Sequence, residues 1–132
     1  MNIKNVTVAG GGVLGSQIAF QTAYSGFPVN LYDISDEAIE KTKEKMHTWQ
    51  KAYKRDLGAT DKQVEKAYNN ITFYTDLAQA VKGVDLVIEA VPEVVEIKTN
   101  FYKQLAQVAD EKTIFVSNSS TMLPSQFAEF TG

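Results

Sequence analysis

The 132-residue chain contains no cysteine, one histidine, one tryptophan and three prolines. The missing cysteine excludes disulfides, thiolate metal sites and a cysteine nucleophile, so no metal is expected and a reducing compartment suits the chain. Excess positive charge is missing too: 13 Lys and Arg stand against 16 Asp and Glu, a net charge of −3. That balance gives no reason to expect nucleic acid or an acidic membrane as a partner. No apolar run approaches the length that spans a bilayer. The first apolar strand begins near Ile3, which leaves no room for a leader segment and points to a cytoplasmic location. What is present, 44% hydrophobic and 22% charged residues, is the composition of one ordinary globular domain.

The chain opens on a short apolar strand, Ile3 to Ala9, that runs into Gly10-Gly11-Gly12-Val13-Leu14-Gly15. Gly10, Gly12 and Gly15 form G-x-G-x-x-G, and a second apolar run, Val29 to Tyr32, ends on Asp33. A lone glycine motif says little. Set between a strand and a helix, with a carboxylate closing the next strand, it is the dinucleotide-binding fingerprint. Gly10 allows the tight turn, Gly12 lets a pyrophosphate approach the backbone, and Gly15 brings helix and sheet close. The N–H groups at the helix start, including those of Val13 and Leu14, face the phosphates. Asp33 suits both ribose hydroxyls of NAD and repels the 2′-phosphate of NADP. Ile34-Ser35-Asp36 supply no Lys or Arg to neutralise that phosphate, so NAD is favoured. On position alone, a solvated turn aspartate remains an alternative for Asp33.

Strands and helices alternate along the chain, which predicts an α/β fold with a parallel sheet covered on both faces. A helix from about Val13 to Ser25 stops at Gly26, and Pro28 opens the second strand. Asp36 to Asp56 reads as a long helix with a narrow apolar stripe of Ile39, Met46, Trp49 and Tyr53, ended by Leu57-Gly58. Thr60 and Gln63 start a second helix by a capping box. This helical hairpin lies between strands 2 and 3, and its narrow stripe predicts that it projects from the body. Ile71 to Tyr74 is the third strand, followed by a short helix capped by Asp76 and Gln79 and stopped by Gly83. Val84 to Val91 is a strand buried on both faces. Val94, Ile97, Phe101, Leu105 and Val108 mark the buried face of a helix. Thr113 to Ser117 is a fifth strand, and Pro124 to Phe130 begins another helix. His47, the single histidine, falls mid-helix in the hairpin and reads as a surface or packing residue.

Three segments carry a more specific likeness: Val87-Ile88-Glu89-Ala90-Val91-Pro92-Glu93 with Lys98 and Phe101, Ile114-Phe115-Val116-Ser117-Asn118-Ser119-Ser120, and Leu31-Tyr32-Asp33-Ile34-Ser35 with its hairpin. With them the chain resembles, over nearly its whole length, the N-terminal NAD-binding domain of the 3-hydroxyacyl-CoA dehydrogenase family. The resemblance implies a Rossmann-type doubly wound sheet and an oxidoreductase that acts with NAD on the 3-hydroxyl of an acyl-CoA in fatty-acid metabolism. It implies that Gly10, Gly12, Gly15 and Asp33 hold the adenosine half and pyrophosphate, and that Glu93 and Lys98 lie near the nicotinamide ribose. Asn118 and Ser120 would stand beside the nicotinamide and the reacting oxygen of the substrate. The residue types alone also fit simpler roles: Glu93 as a helix N-terminal anion, Lys98 as a solvated lysine, and Ser117 to Thr121 as a turn whose hydroxyls cap a helix.

The family's general-base histidine, and the glutamate that orients it, belong beyond the serine block and do not occur before Gly132. The resemblance therefore implies the NAD-binding piece of a longer, two-domain homodimeric enzyme. Such a piece is expected to bind NAD without turnover and to self-associate through the edge strand Thr113 to Ser117. Two features depart from the family. Met122-Leu123-Pro124-Ser125 is similar to branches that oxidise sugar acids or carnitine, including gulonate 3-dehydrogenase and λ-crystallin. Counted without gaps from Asp33, the family's CoA-contacting Ser and Lys fall on Trp49 and Asp56, although Lys51, Lys54 and Arg55 could meet a CoA phosphate. A non-CoA 3-hydroxy acid as substrate, and a non-catalytic NAD-binding module, are the alternatives to an acyl-CoA enzyme.

Overall fold

The computed structural model describes residues 3–92, 94–109 and 112–117. Five parallel strands stand in the order β3-β2-β1-β4-β5: β1 Val6–Ala9, β2 Val29–Tyr32, β3 Ile71–Tyr74, β4 Leu86–Glu89 and β5 Ile114–Ser117. The order reverses between β1 and β4. Val6 is in register with Val29 on one side and Leu86 on the other. Strands β1 and β4 are shorter than their apolar runs, because Ile3 and the residues flanking Leu86–Glu89 lie outside the ladder.

Side chains alternate across the sheet. Val6, Val8 and Leu31 join a core with α1 (Val13–Tyr24), α2 (Asp36–Leu57) and α3 (Asp61–Asn69). Ala9, Tyr32 and Val87 join a second core with α4 (Leu77–Val81) and α5 (Val95–Val108). Both faces are thus covered, as expected of a doubly wound sheet. Local signals set the helix ends: Ser35 caps α2 through Ala38 N–H, Gly58 ends it at φ 68°, and Thr60 and Gln63 form a reciprocal capping box. Asp76 caps α4 by accepting from Ala78 and Gln79 N–H.

Two expectations are corrected. The hairpin does not project. Met46 is fully buried, Trp49 donates its indole N–H to Ser16 Oγ at 3.0 Å, and the Tyr53 ring meets Phe20 and Tyr24 edge-on. The stripe is narrow because aromatic rings with polar tips do part of the packing. On α5 the buried face is also rotated. Phe101 and Leu105 are buried, but with them go Lys98 and Tyr102, while Val94 and Ile97 are exposed. A polar anchor at the end of β4, described below, draws Lys98 inward. Among the described residues no helix is long and apolar enough to cross a membrane.

Candidate functional site

At the carboxyl ends of β1, β2 and β4 the structure opens a cleft of about 600 Å³, a volume suited to a small-molecule ligand. Its floor is the glycine turn. Gly10 has φ 106°, and a Cβ there would stand 2.5 Å from Ala90 O, so only glycine fits. A Cβ on Gly15 would stand 1.9 Å from Gly10 O. Gly12 differs from both: a Cβ there would meet nothing within 4 Å. It is the N-cap of α1, makes no side-chain cap hydrogen bond, and precedes a first turn with no acidic residue. The start of α1 therefore offers uncapped N–H groups and a positive dipole end to the cleft, which suits an anion. Val13 and Leu14 are exposed at the same point.

Asp33 follows β2 and shares the lining with the glycine turn. Its Oδ2 accepts Gly11 N–H at 3.0 Å and its Oδ1 accepts Ile34 N–H at 2.8 Å. Each carboxylate oxygen keeps a further lone pair, so the group is held in place and can still accept from two ribose hydroxyls. The cleft thus pairs an anion-binding helix start with a fixed diol acceptor. These residues fit an NAD adenosine diphosphate in both shape and donor chemistry.

Thr42 escaped the sequence reading. Fully buried on α2, it donates to Gly11 O at 3.0 Å and pins the hairpin to the glycine turn. The only signal was its place between Ile39 and Met46, at steps of three and four. Lys41 and Lys45 on α2, and Asn100 and Gln104 on α5, also line the cleft. Lys41 pairs with the exposed Glu37 at 3.6 Å. No cation follows Asp33 directly in the chain, and the lysines of the cleft lining come instead from further along α2.

Lys98 is neither solvated nor part of the cleft lining. Its ammonium meets Glu89 Oε1 and Oε2 at 2.9 and 3.0 Å, with both side chains 2% exposed. Tyr102 donates to the same carboxylate at 3.3 Å, and burial followed by the Glu89 charge pushes its phenol well above the ordinary range. Tyr102 therefore keeps its proton and serves Glu89 as a hydrogen-bond donor. The expected site residues Glu93, Asn118 and Ser120 lie outside the described residues, as do Met122 to Ser125 and the helix from Pro124. His47 stacks on Tyr68 with ring centroids 5.5 Å apart and sits beside Gln50, away from the cleft lining.

The family model described as "3-hydroxyacyl-CoA dehydrogenase, NAD binding domain" matches residues 5–132. Human mitochondrial hydroxyacyl-coenzyme A dehydrogenase is 36% identical over 134 aligned residues, which cover 98% of this chain and 43% of that protein. A solved diketoreductase, reported for substrate-directed dual catalysis of dicarbonyl compounds, is 50% identical with a TM-score of 0.95. It is matched over 100% of this chain and 47% of its own. The 3-hydroxybutyryl-CoA dehydrogenase of Escherichia coli is 31% identical with a TM-score of 0.87, over 97% of this chain and 27% of that one. The chain thus spans less than half the length of these relatives.

Proposed function

The chain belongs to the 3-hydroxyacyl-CoA dehydrogenase family by its NAD-binding domain, and from that premise we propose that it holds NAD for oxidation of the 3-hydroxyl of a 3-hydroxyacyl-CoA, or for the reverse reduction. The observation that carries the cofactor half is Asp33, fixed to the glycine turn by Gly11 N–H across from the uncapped start of α1. When bound, the nicotinamide supplies a hydride acceptor for the carbinol carbon.

The chain's own residues bind and orient. The N–H groups at the start of α1 take the pyrophosphate, with Gly12 leaving the backbone bare, and Asp33 takes the adenosine ribose. Ile97 and Val91 give the cleft an apolar wall. Glu93 and Lys98 are proposed near the nicotinamide ribose, and Asn118 and Ser120 beside the reacting oxygen. The support is their match to the family motif and their place after the fourth and fifth strands, where open sheets bind ligands. An amide and a hydroxyl fix an alcohol or ketone oxygen without adding charge. None of the described residues lining the cleft is a histidine, so no proton-abstraction step is assigned to them.

A second reading, a non-CoA 3-hydroxy acid or dicarbonyl substrate, has two supports. One is the 50% identity to the diketoreductase. The other is the state of the outer α2 cations: Lys54 lies 2.8 Å from Asp61, and Arg55 lies 2.8 Å from Asp56. Both are already paired, which leaves less charge for a CoA phosphate. NADH oxidation by the protein that carries this domain, assayed with acetoacetyl-CoA and with a free 1,3-dicarbonyl acid, separates the readings. Turnover of acetoacetyl-CoA is expected. Turnover of the free acid alone establishes the second reading. Turnover of neither, with NAD still bound, leaves only the module.

A further inference from the structure

Glu89 ends β4 beside the point where the strand order reverses. It is 1% exposed and does not line the cleft. Its carboxylate nonetheless gathers groups from several elements. Lys98 Nζ donates from α5 at 2.9 and 3.0 Å, and Tyr102 OH donates from the next turn of α5 at 3.3 Å. Ser117 Oγ donates from the end of β5 at 2.8 Å, and Val91 N–H donates from the β4–α5 connection at 2.9 Å.

A buried ion pair is a poor way to gain stability, since desolvation offsets most of the attraction and an apolar pair of similar volume does as well or better. What this one does is fix geometry. Ala90, Val91 and Pro92 form one wall of the cleft, and Glu89 holds that wall through Val91 N–H. The same carboxylate sets the first turns of α5 through Lys98 and the end of β5 through Ser117. In a doubly wound sheet the two halves of a dinucleotide lie on opposite sides of the reversal point. Asp33 serves the β2 side, and everything that Glu89 organises lies on the β4–β5 side.

We propose that Glu89 is a positioning residue for the nicotinamide half of the cofactor: it holds the β4–α5 wall, Lys98 and the end of β5 in register without touching the ligand. The proposal rests on the reading that the cleft takes NAD. Glu89 weighs on the two halves of the site unequally: its carboxylate bonds neither the glycine turn nor Asp33 and meets that side only through Val91, whose N–H it holds and which packs close to Gly10.

The test is a comparison of NADH with ADP, which carries only the adenosine and pyrophosphate, titrated into the chain and its Glu89→Gln variant. NADH affinity is expected to fall about tenfold, the equivalent of one charge-assisted hydrogen bond, with ADP affinity changed by less than about twofold. Equal losses for both ligands, or no loss for either, overturns the proposal. Ser117→Ala removes the Ser117 bonds to Glu89 and Tyr102 and keeps the ion pair, so it covers the case in which Glu89→Gln does not fold. Its NADH-to-ADP affinity ratio is expected to fall about threefold, and an unchanged ratio contradicts the proposal. Wild-type chain that binds neither ligand defeats the cleft reading and this inference together. Wild-type binding of both, with an unmoved ratio in the variants, defeats this inference alone.

Discussion

Gly11 N–H donates to Asp33 Oδ2 at 3.0 Å. Two signals that stand far apart in sequence, a glycine turn and a strand-ending carboxylate, are thereby one structural unit. Asp33 both presents an acceptor to the cleft and holds the turn that receives the phosphates. Asp33→Ala removes both, and NAD affinity is expected to drop by about ten- to a hundredfold. Calorimetric titration of the variant against wild type measures it, and a change under twofold contradicts this role.

The glycines separate binding from folding. A Cβ on Gly12 meets open space, whereas one on Gly15 lands 1.9 Å from a backbone oxygen. Gly12→Ala is therefore expected to keep its stability within about 1 kcal/mol while losing NAD affinity. Gly15→Ala is expected to destabilise by about 1–3 kcal/mol, because the contact is with backbone and cannot rotate away. Thermal melts and NAD titrations of both variants check the contrast.

Trp49 and Ser16 join the hairpin to the first turn of α1 by a 3.0 Å bond, and the Ser16 hydroxyl in turn donates a hydrogen bond to Val13 O. Trp49→Phe and Ser16→Ala are each expected to cost about 1 kcal/mol, and together less than the sum of the two. Denaturant unfolding of the two single variants and the double variant measures that coupling.

Asp85 staples the start of the sheet. Its carboxylate accepts Lys4 N–H at 2.9 Å and Asn5 N–H at 3.4 Å, with the Lys112 ammonium 3.4 Å away. The Lys4 N–H foremost, then Asn5 and Lys112, outweigh desolvation and hold its pKa below the ordinary 3.8. A depressed folded pKa means that the stabilisation is complete above the ordinary value and is lost as pH falls through the folded one. Asp85→Asn is thus expected to lower the melting temperature at pH 7. The gap between variant and wild type should close as the pH falls below 3.8. Melting curves across that range test it.

What could be read from the sequence was short-range. The glycine turn, the Gly58 stop and the Thr60–Gln63 box each lie within a few residues and obey local backbone chemistry, and the structure contains them. The alternation of elements was equally legible, because a parallel sheet needs a crossover between strands. The misread parts depend on distant partners. Lys98 breaks an apolar period and looks solvated until Glu89, on another element, is placed against it. Trp49 and Tyr53 looked like a sparse stripe until α1 supplied Ser16, Phe20 and Tyr24. Lys41 and Lys45 reach the cleft only through the direction in which α2 runs, which no local pattern encodes.

Titration of the chain with NAD and NADP under the same conditions shows whether the glycine turn and Asp33 form an NAD site. Saturable binding of NAD is expected, at least about tenfold tighter than NADP, since the 2′-phosphate would meet the Asp33 carboxylate. Equal affinity for the two, or binding of neither, would contradict it.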